Sequence, residues 1–182
     1  TDSGPFGETG LHSPSGSLFR ISASQSDQLL LPVAYETLAY PWGLATSPDG
    51  KFVFVAETMA NRVIRYFQRP SGAHHGSVFL QLSGRVGPSA LACDNQGSLY
   101  VAHYDVSGST REGLVYVVNK SGTITSTITV AGPEITGLVI RCGNILKCLN
   151  DRAYVVLLLP SPDNRTLYIT EQTTRSVYHI EL

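Results

Sequence analysis

Charge is scarce in this chain: Asp, Glu, Lys and Arg make up 15% of its 182 residues, against roughly 25% in an average soluble domain. Thirteen basic and fourteen acidic side chains leave a net charge of -1, which argues against a broad electrostatic surface for nucleic acid. Long hydrophobic runs are missing too. The longest is the stretch 153–159, too short for the roughly 20 residues of a membrane-spanning helix, so no membrane partner is expected. There is no Met at position 1 and no basic-plus-apolar leader, so no targeting segment is expected here. Cys93, Cys142 and Cys148 are the three cysteines. They are odd in number, sparse, and lack the ligand spacing of a zinc site, so free thiols are expected. A helical period of useful length is absent as well, because 28–39 is broken by Pro32 and ended by Pro41. No Gly-x-Ser-x-Gly elbow, phosphate-cradling glycine loop or His-Glu-x-x-His appears. Two glycosylation sequons, at Asn119 and Asn164, leave the compartment open. What is present is 42% hydrophobic residues, enough for a globular core.

Those residues recur with a period. Pro41-Trp42-Gly43-Leu44-Ala45 leads through Ser47-Pro48-Asp49-Gly50 into Phe52-Val53-Phe54-Val55-Ala56-Glu57. Pro88-Ser89-Ala90-Leu91-Ala92 leads through Asp94-Asn95-Gln96-Gly97 into Leu99-Tyr100-Val101-Ala102-His103, each 47 residues later. A third copy begins at Ile135-Thr136-Gly137-Leu138-Val139, with Thr136 twice 47 residues after Trp42. Its turn and second strand are Ser161-Pro162-Asp163-Asn164 and Leu167-Tyr168-Ile169-Thr170-Glu171. Third strands follow at Arg62 to Tyr66, Gly113 to Val117 and Ser176 to Ile180, and fourth strands at Ser77 to Leu82 and Thr123 to Val130. Turn residues that preset φ or tolerate positive φ separate them.

Four strands in a period of this length are the mark of a β-propeller blade. The reading is therefore all-β, with four-stranded antiparallel blades. Val53 and Val55 are expected on one face of their strand and Phe52 and Phe54 on the other, both faces packed between neighbouring blades. Thr1-Asp2-Ser3 matches the end of a second strand and Gly16 to Ile21 a third, so the chain starts inside a blade. In the third copy, 141–160 holds twenty extra residues, read either as a loop insertion or as sequence foreign to the fold. Without them the chain, 1–182, is a single partial propeller of about 3.4 blades.

These residues resemble a known group. Tyr40 to Gly50, running into Val53 to Thr58 and Asn61 to Tyr66, is similar to the strictosidine synthase-like branch of the six-bladed propellers. Gly87 to Ala92 with Gly97 to Ala102 resembles the senescence-marker-protein/gluconolactonase/LRE-like family. The resemblance implies that this chain is the C-terminal part of a six-bladed propeller. It further implies a divalent cation, calcium or zinc, held on the propeller axis by Glu, Asn and Asp oxygens that suit a hard ion. The family's Asn position falls on Trp42 here and its Asp position on Ser89. The innermost-strand Glu of the strictosidine synthase-like enzymes falls on Thr136. None of the three offers the family's chemistry, so no metal or other cofactor is expected.

Other residues remain candidates. Asp2, Glu57, His103 and Glu171 occupy equivalent second-strand ends. They read either as a polar ring around the axis or as side chains that bond adjacent turn amides. Trp42 either floors a pocket or plugs the channel, with Ser89 and Thr136 beside it on the axis. Glu134 is the one candidate for a relocated catalytic acid. His74-His75 reads as a solvated hairpin loop, its paired imidazoles pointing apart. Two functions stand open: a propeller without metal-dependent catalysis that binds a small molecule or protein, and a lactone or ester hydrolase, or strictosidine synthase-like enzyme, using an acid elsewhere. Missing N-terminal blades or self-association would be needed to close the ring.

Overall fold

The structure is a computed structural model that describes residues 1–5, 9–21, 29–84, 86–105, 107, 110–140 and 166–182. The expected insertion at 141–160, with Cys142 and Cys148, lies outside the described residues, and so does the turn at 161–164.

Four antiparallel sheets follow one another along the chain. The first pairs β1 (Gly16–Ile21) with β2 (Leu30–Leu38), and Asp2 bridges Ser17 on the far side of β1. The second orders β3 (Pro41–Thr46), β4 (Phe52–Glu57), β5 (Arg62–Gln68) and β6 (His74–Gln81) from inside to outside. The third repeats the order with β7 (Gly87–Cys93), β8 (Leu99–Tyr104), β9 (Glu112–Val118) and β10 (Ile124–Ala131). The fourth has β11 (Ile135–Ile140), β12 (Thr166–Glu171) and β13 (Ser176–Glu181). The described residues thus form two complete blades and parts of two more. Their only helical element is a single 3-10 turn, Thr58–Ala60.

The chain turns where its residues permit. In the β3–β4 turn Asp49 Oδ1 accepts from the Ser47 hydroxyl and the Lys51 amide, while Gly50 takes φ of 69°. In the β7–β8 turn Asp94 Oδ1 accepts from the Gln96 and Ser98 amides, and Gly97 takes φ of 88°. An Asp or Asn that closes its own turn, followed by a glycine free to go left-handed, is a strong local stop between strands.

Apolar side chains on both faces then pack sheet on sheet. Val55 lies in a buried cluster with Leu18, Leu38, Ile64 and Tyr66, with Val53 against it. Phe54, on the other face, joins Leu80, Leu91, Leu99 and Val101, with Phe52 alongside. A third cluster joins Ala102 and Val115 to Ile135, Leu167 and Ile169 of the fourth sheet. Each fully buried aliphatic side chain contributes about 1.5–3 kcal/mol, so these three layers hold the arc of blades together.

Two sequence readings need correction. The segment 28–39, left without an element, contains β2. Pro32 is tolerated there because, among the described residues, β2 pairs with β1 alone and is an edge strand, the place in a sheet where proline is found. His74 and His75 belong to a strand and not to a loop: they open β6, opposite Gln68 and Phe67. The loop is tighter than expected because the Arg69 amide donates to Ala73 O at 2.8 Å and Gly72 takes φ of 85°. Pairing therefore starts directly after Ala73.

Candidate functional site

All three innermost strands begin with the same irregularity. Pro41 faces Glu57, Pro88 faces His103 and Ile135 faces Glu171, and the register then slips within the next three residues. The extra residues are Trp42 and Gly43, Ser89 and Ala90, and Thr136. A bulge of this kind leaves residues out of the ladder and re-aims their side chains. Strands β3 and β7 also approach closely: a Cβ on Gly43 would stand 2.6 Å from Ser89 O. The bulges bring the 47-residue positions to one end of neighbouring strands.

A cleft of about 800 Å³ opens there, lined by Trp42, Glu134, Thr136, Thr170, Glu171 and Arg175 among others. The Trp42 ring lies between Tyr40, with centroids 6.2 Å apart, and Tyr104, at 5.4 Å. Burial, and then the Glu134 and Glu171 carboxylates, push the Tyr104 phenol above its ordinary range. Thr136 Oγ1 is 3.1 Å from Thr170 Oγ1. Ser89 is fully buried outside the cleft lining, its hydroxyl donating to Ile135 O at 2.5 Å.

The second-strand ends are also engaged locally. Glu57, 1% exposed, accepts the Ala39 N–H on Oε1 at 2.8 Å and the Arg62 Nε–H on Oε2 at 2.5 Å. Glu171, 3% exposed, accepts the Glu134 and Thr173 amides on Oε1 at 3.1 and 2.9 Å. Its Oε2 takes the Thr174 amide and hydroxyl, each at 2.6 Å. Burial pulls the Glu171 carboxyl upward, but the Thr174 and Thr173 bonds outweigh it and the net position is below the ordinary value. His103 is buried between Tyr116 Oη and Asn61 Oδ1, each at 3.2 Å. Asp2 Oδ1 accepts from the Gly4 amide. Of the residues singled out in the sequence, the structure gathers Trp42, Thr136, Glu171 and Glu134 at one cleft. Ser89, Glu57 and His103 sit in the sheet junctions around it.

Sequence reasoning passed over Tyr40, Tyr104, Thr170 and Arg175. Tyr104 and Thr170 were within reach, because each adjoins a second-strand end already marked, His103 and Glu171. Tyr40 and Arg175 adopt left-handed φ of 56° and 53°, which carries no sequence signal in a non-glycine residue.

The donor set at the bulges is an indole and two hydroxyls. An indole N–H only donates, the Ser89 hydroxyl already donates to Ile135 O, and the Thr136 hydroxyl pairs with Thr170. Glu171 has both oxygens filled by N–H and O–H donors. That leaves Glu134 as the carboxylate open to the cleft. Among the described residues no three His, Cys, Asp or Glu side chains converge in a way that could hold a metal ion. Among the described residues this set supplies fewer than the six or more oxygens that a hard cation takes.

Comparison with known proteins agrees with this architecture. The family model of the SMP-30/Gluconolactonase/LRE-like region matches residues 4–149. Lactonase drp35 of Staphylococcus saprophyticus is 33% identical over 103 residues, 54% of this chain and 30% of that protein. Among solved structures, the calcium-binding protein regucalcin of Agrobacterium tumefaciens superposes with a TM-score of 0.63 at 19% identity. The overlap covers 87% of this chain and 45% of that one. A gluconolactonase of Xanthomonas campestris gives 0.63 at 19%, over 92% and 45%. The chain thus spans less than half the length of these relatives, and at such identities the solved structures speak to the fold alone. With two complete blades, a 47-residue period and a family match over most of its length, the chain belongs to the SMP-30/gluconolactonase/LRE-like family of six-bladed β-propellers.

Proposed function

We propose that this gluconolactonase-like propeller binds a small molecule in the Trp42 cleft and lacks the family's metal-dependent catalysis. The observation that carries the proposal is the bulge set itself. Trp42 fills with an indole the place where a cation and its water would need oxygen, and Ser89 and Thr136 already have partners. What the cleft does offer is the Trp42 indole, backed by ring contacts to Tyr40 and Tyr104, together with the Glu134 carboxylate. That combination suits a ligand with an apolar face and a hydrogen-bond donor or positive group. Calorimetry on the folded chain should detect no micromolar calcium or zinc binding, and lactone hydrolysis should be absent with or without chelator. Tight metal binding together with chelator-sensitive hydrolysis would overturn the reading.

One observation favours a second reading. Glu134 lines the cleft next to Thr136, and its backbone is held by Glu171, so a relocated general base for lactone or ester hydrolysis is geometrically available. Metal-independent hydrolysis abolished by Glu134→Gln would establish that reading in place of the first. Because the chain covers less than half of the relatives named above, either activity concerns a ring completed by further blades or by a second copy.

A further inference from the structure

A second cleft, of about 330 Å³, lies at the opposite end of the strands, between the β3–β6 and β7–β10 sheets. Phe52, Phe54 and Arg65 line it from one sheet, Gln96 and Lys120 from the other, and Asp49 at the rim. Both walls are complete four-stranded sheets, so this site does not depend on what closes the ring. It shares no residue with the Trp42 cleft and stands independently of the function proposed for it.

Its chemistry is lopsided in charge. The Arg65 guanidinium carbon sits 5.0 Å from the centre of the Phe52 ring and 5.3 Å from that of Phe79. Two rings therefore orient the fork, and neither satisfies its N–H donors in its plane. Among the described residues no hydrogen bond or ion pair occupies the Arg65 fork or the Lys120 ammonium. The Lys120 stem lies across Gly97, whose missing side chain makes room for it: a Cβ there would stand 2.5 Å from Lys120 Cε. The nearby carboxylates are already engaged. Asp49 holds the Ser47 hydroxyl and the Lys51 amide, with the Lys51 ammonium at 3.4 Å, and Asp94 holds the Gln96 and Ser98 amides. Two cations with no ion pair of their own face a floor made of Phe52 and Phe54, with the Asp49 carboxylate at the rim.

We propose that this inter-blade cleft binds a small organic carboxylate with a flat apolar body. A carboxylate presents two coplanar oxygens to the Arg fork, the arrangement that gives bidentate charge-assisted bonds. Lys120 supplies a second, movable donor, and the flat body lies on the two phenylalanine rings. The volume is at the lower end of the roughly 300–1,000 Å³ of small-molecule pockets, which suits a one-ring molecule. A ligand seated here touches both sheets and therefore raises the stability of the arc as it binds.

The test uses the full chain and phenylacetate as probe, with calorimetry and thermal melts. Saturable binding and a raised melting temperature are expected. The uncharged phenylacetamide should bind at least about tenfold more weakly, the loss expected from one charge-assisted bond pair. Lys120→Met, on an exposed turn, should weaken phenylacetate by about tenfold with an unchanged circular dichroism spectrum. Arg65→Met should abolish binding. The proposal fails if phenylacetate shows no saturable binding, if phenylacetamide binds equally well, or if Lys120→Met leaves the affinity unchanged. It fails equally if inorganic phosphate binds as tightly, because the apolar floor would then recognise nothing.

Discussion

Replacing Glu171 by Gln tests how the candidate site is held in place, because the change is nearly isosteric and alters only hydrogen-bonding polarity. In the wild type, Oε1 accepts the Glu134 and Thr173 amides while Oε2 accepts the Thr174 amide and hydroxyl. In Glu171→Gln the carbonyl oxygen can keep the first pair. The NH2 then stands where Oε2 was, 2.6 Å from the Thr174 nitrogen, so two donors confront each other. The Thr174 hydroxyl can rotate to accept, which limits the damage to one lost charge-assisted bond and one opposed amide. A bond to a charged group contributes about 1.5–3 kcal/mol, and the loss should fall in that range at neutral pH. The pH dependence adds a signature that packing damage would lack. The folded carboxyl titrates below its ordinary value, so its contribution is present above the unfolded value of roughly 4.3 and is lost as pH falls through the folded one. Urea unfolding of both proteins should therefore show a gap that is widest near neutrality and shrinks below about pH 4. A gap under about 0.5 kcal/mol, within the usual range for surface substitutions, or one that is flat across that interval, would refute the reasoning.

Four further outcomes are expected. Gly87 has φ of 141°, and a Cβ there would collide with the carbonyl oxygen of Thr58; Gly87→Ala should cost at least about 2 kcal/mol in urea unfolding. Ile135, fully buried where β11 meets the third sheet, should cost about 2–5 kcal/mol on truncation to Ala, read as a lowered urea midpoint. Burial, with Asp94 and Asp49 adding to it, raises the Cys93 thiol from 9.0 to about 11; alkylation of the Cys93 peptide, followed by mass spectrometry, should be about a hundredfold slower folded than unfolded. Ile21, Leu30 and Tyr35 on the first sheet are 57%, 61% and 59% exposed, and Val177 on the fourth is 54% exposed; sedimentation should show self-association at rising concentration, and a dye-silent monomer would contradict it.

The blade order was legible because the period is carried by turn chemistry and by apolar residues on both strand faces. Phe52 and Phe54 against Val53 and Val55 already specify a sheet with a neighbour on each side, and the structure assigns the two pairs to different cores. The outermost strands were read less well for a related reason. β2 and β6 bury few residues and show no clean alternation, so pattern alone could not separate Pro32 at a tolerant outer edge from Pro32 as a strand breaker. His74 and His75 were misplaced by the same weakness, since a strand with one buried residue gives little to count.

The candidate site was legible in position but not in chemistry. The 47-residue spacing brought Trp42, Ser89 and Thr136 into correspondence, and each stands at a bulge opening an innermost strand. What each side chain can do depends on the next sheet round. Ser89 donates to Ile135 O, 46 residues away, and Thr136 reaches Thr170, 34 residues away. No local pattern encodes partners at such separations. Glu171 makes the point sharply, because its place at a second-strand end allows either a ring around the axis or bonds to turn amides, and the structure shows the amide bonds. Its oxygens hold the Glu134 amide and the Thr173–Thr174 turn, and that grip fixes the backbone from which the Glu134 carboxylate reaches the cleft. Acids in this fold can therefore divide their work: one kept ionised by amides to hold the loop, the other left open to meet a ligand. For the ligand proposed for the Trp42 cleft, Glu171→Gln with Glu134 intact should loosen binding without removing the Glu134 charge, whereas Glu134→Gln should remove that charge while the loop stays in place.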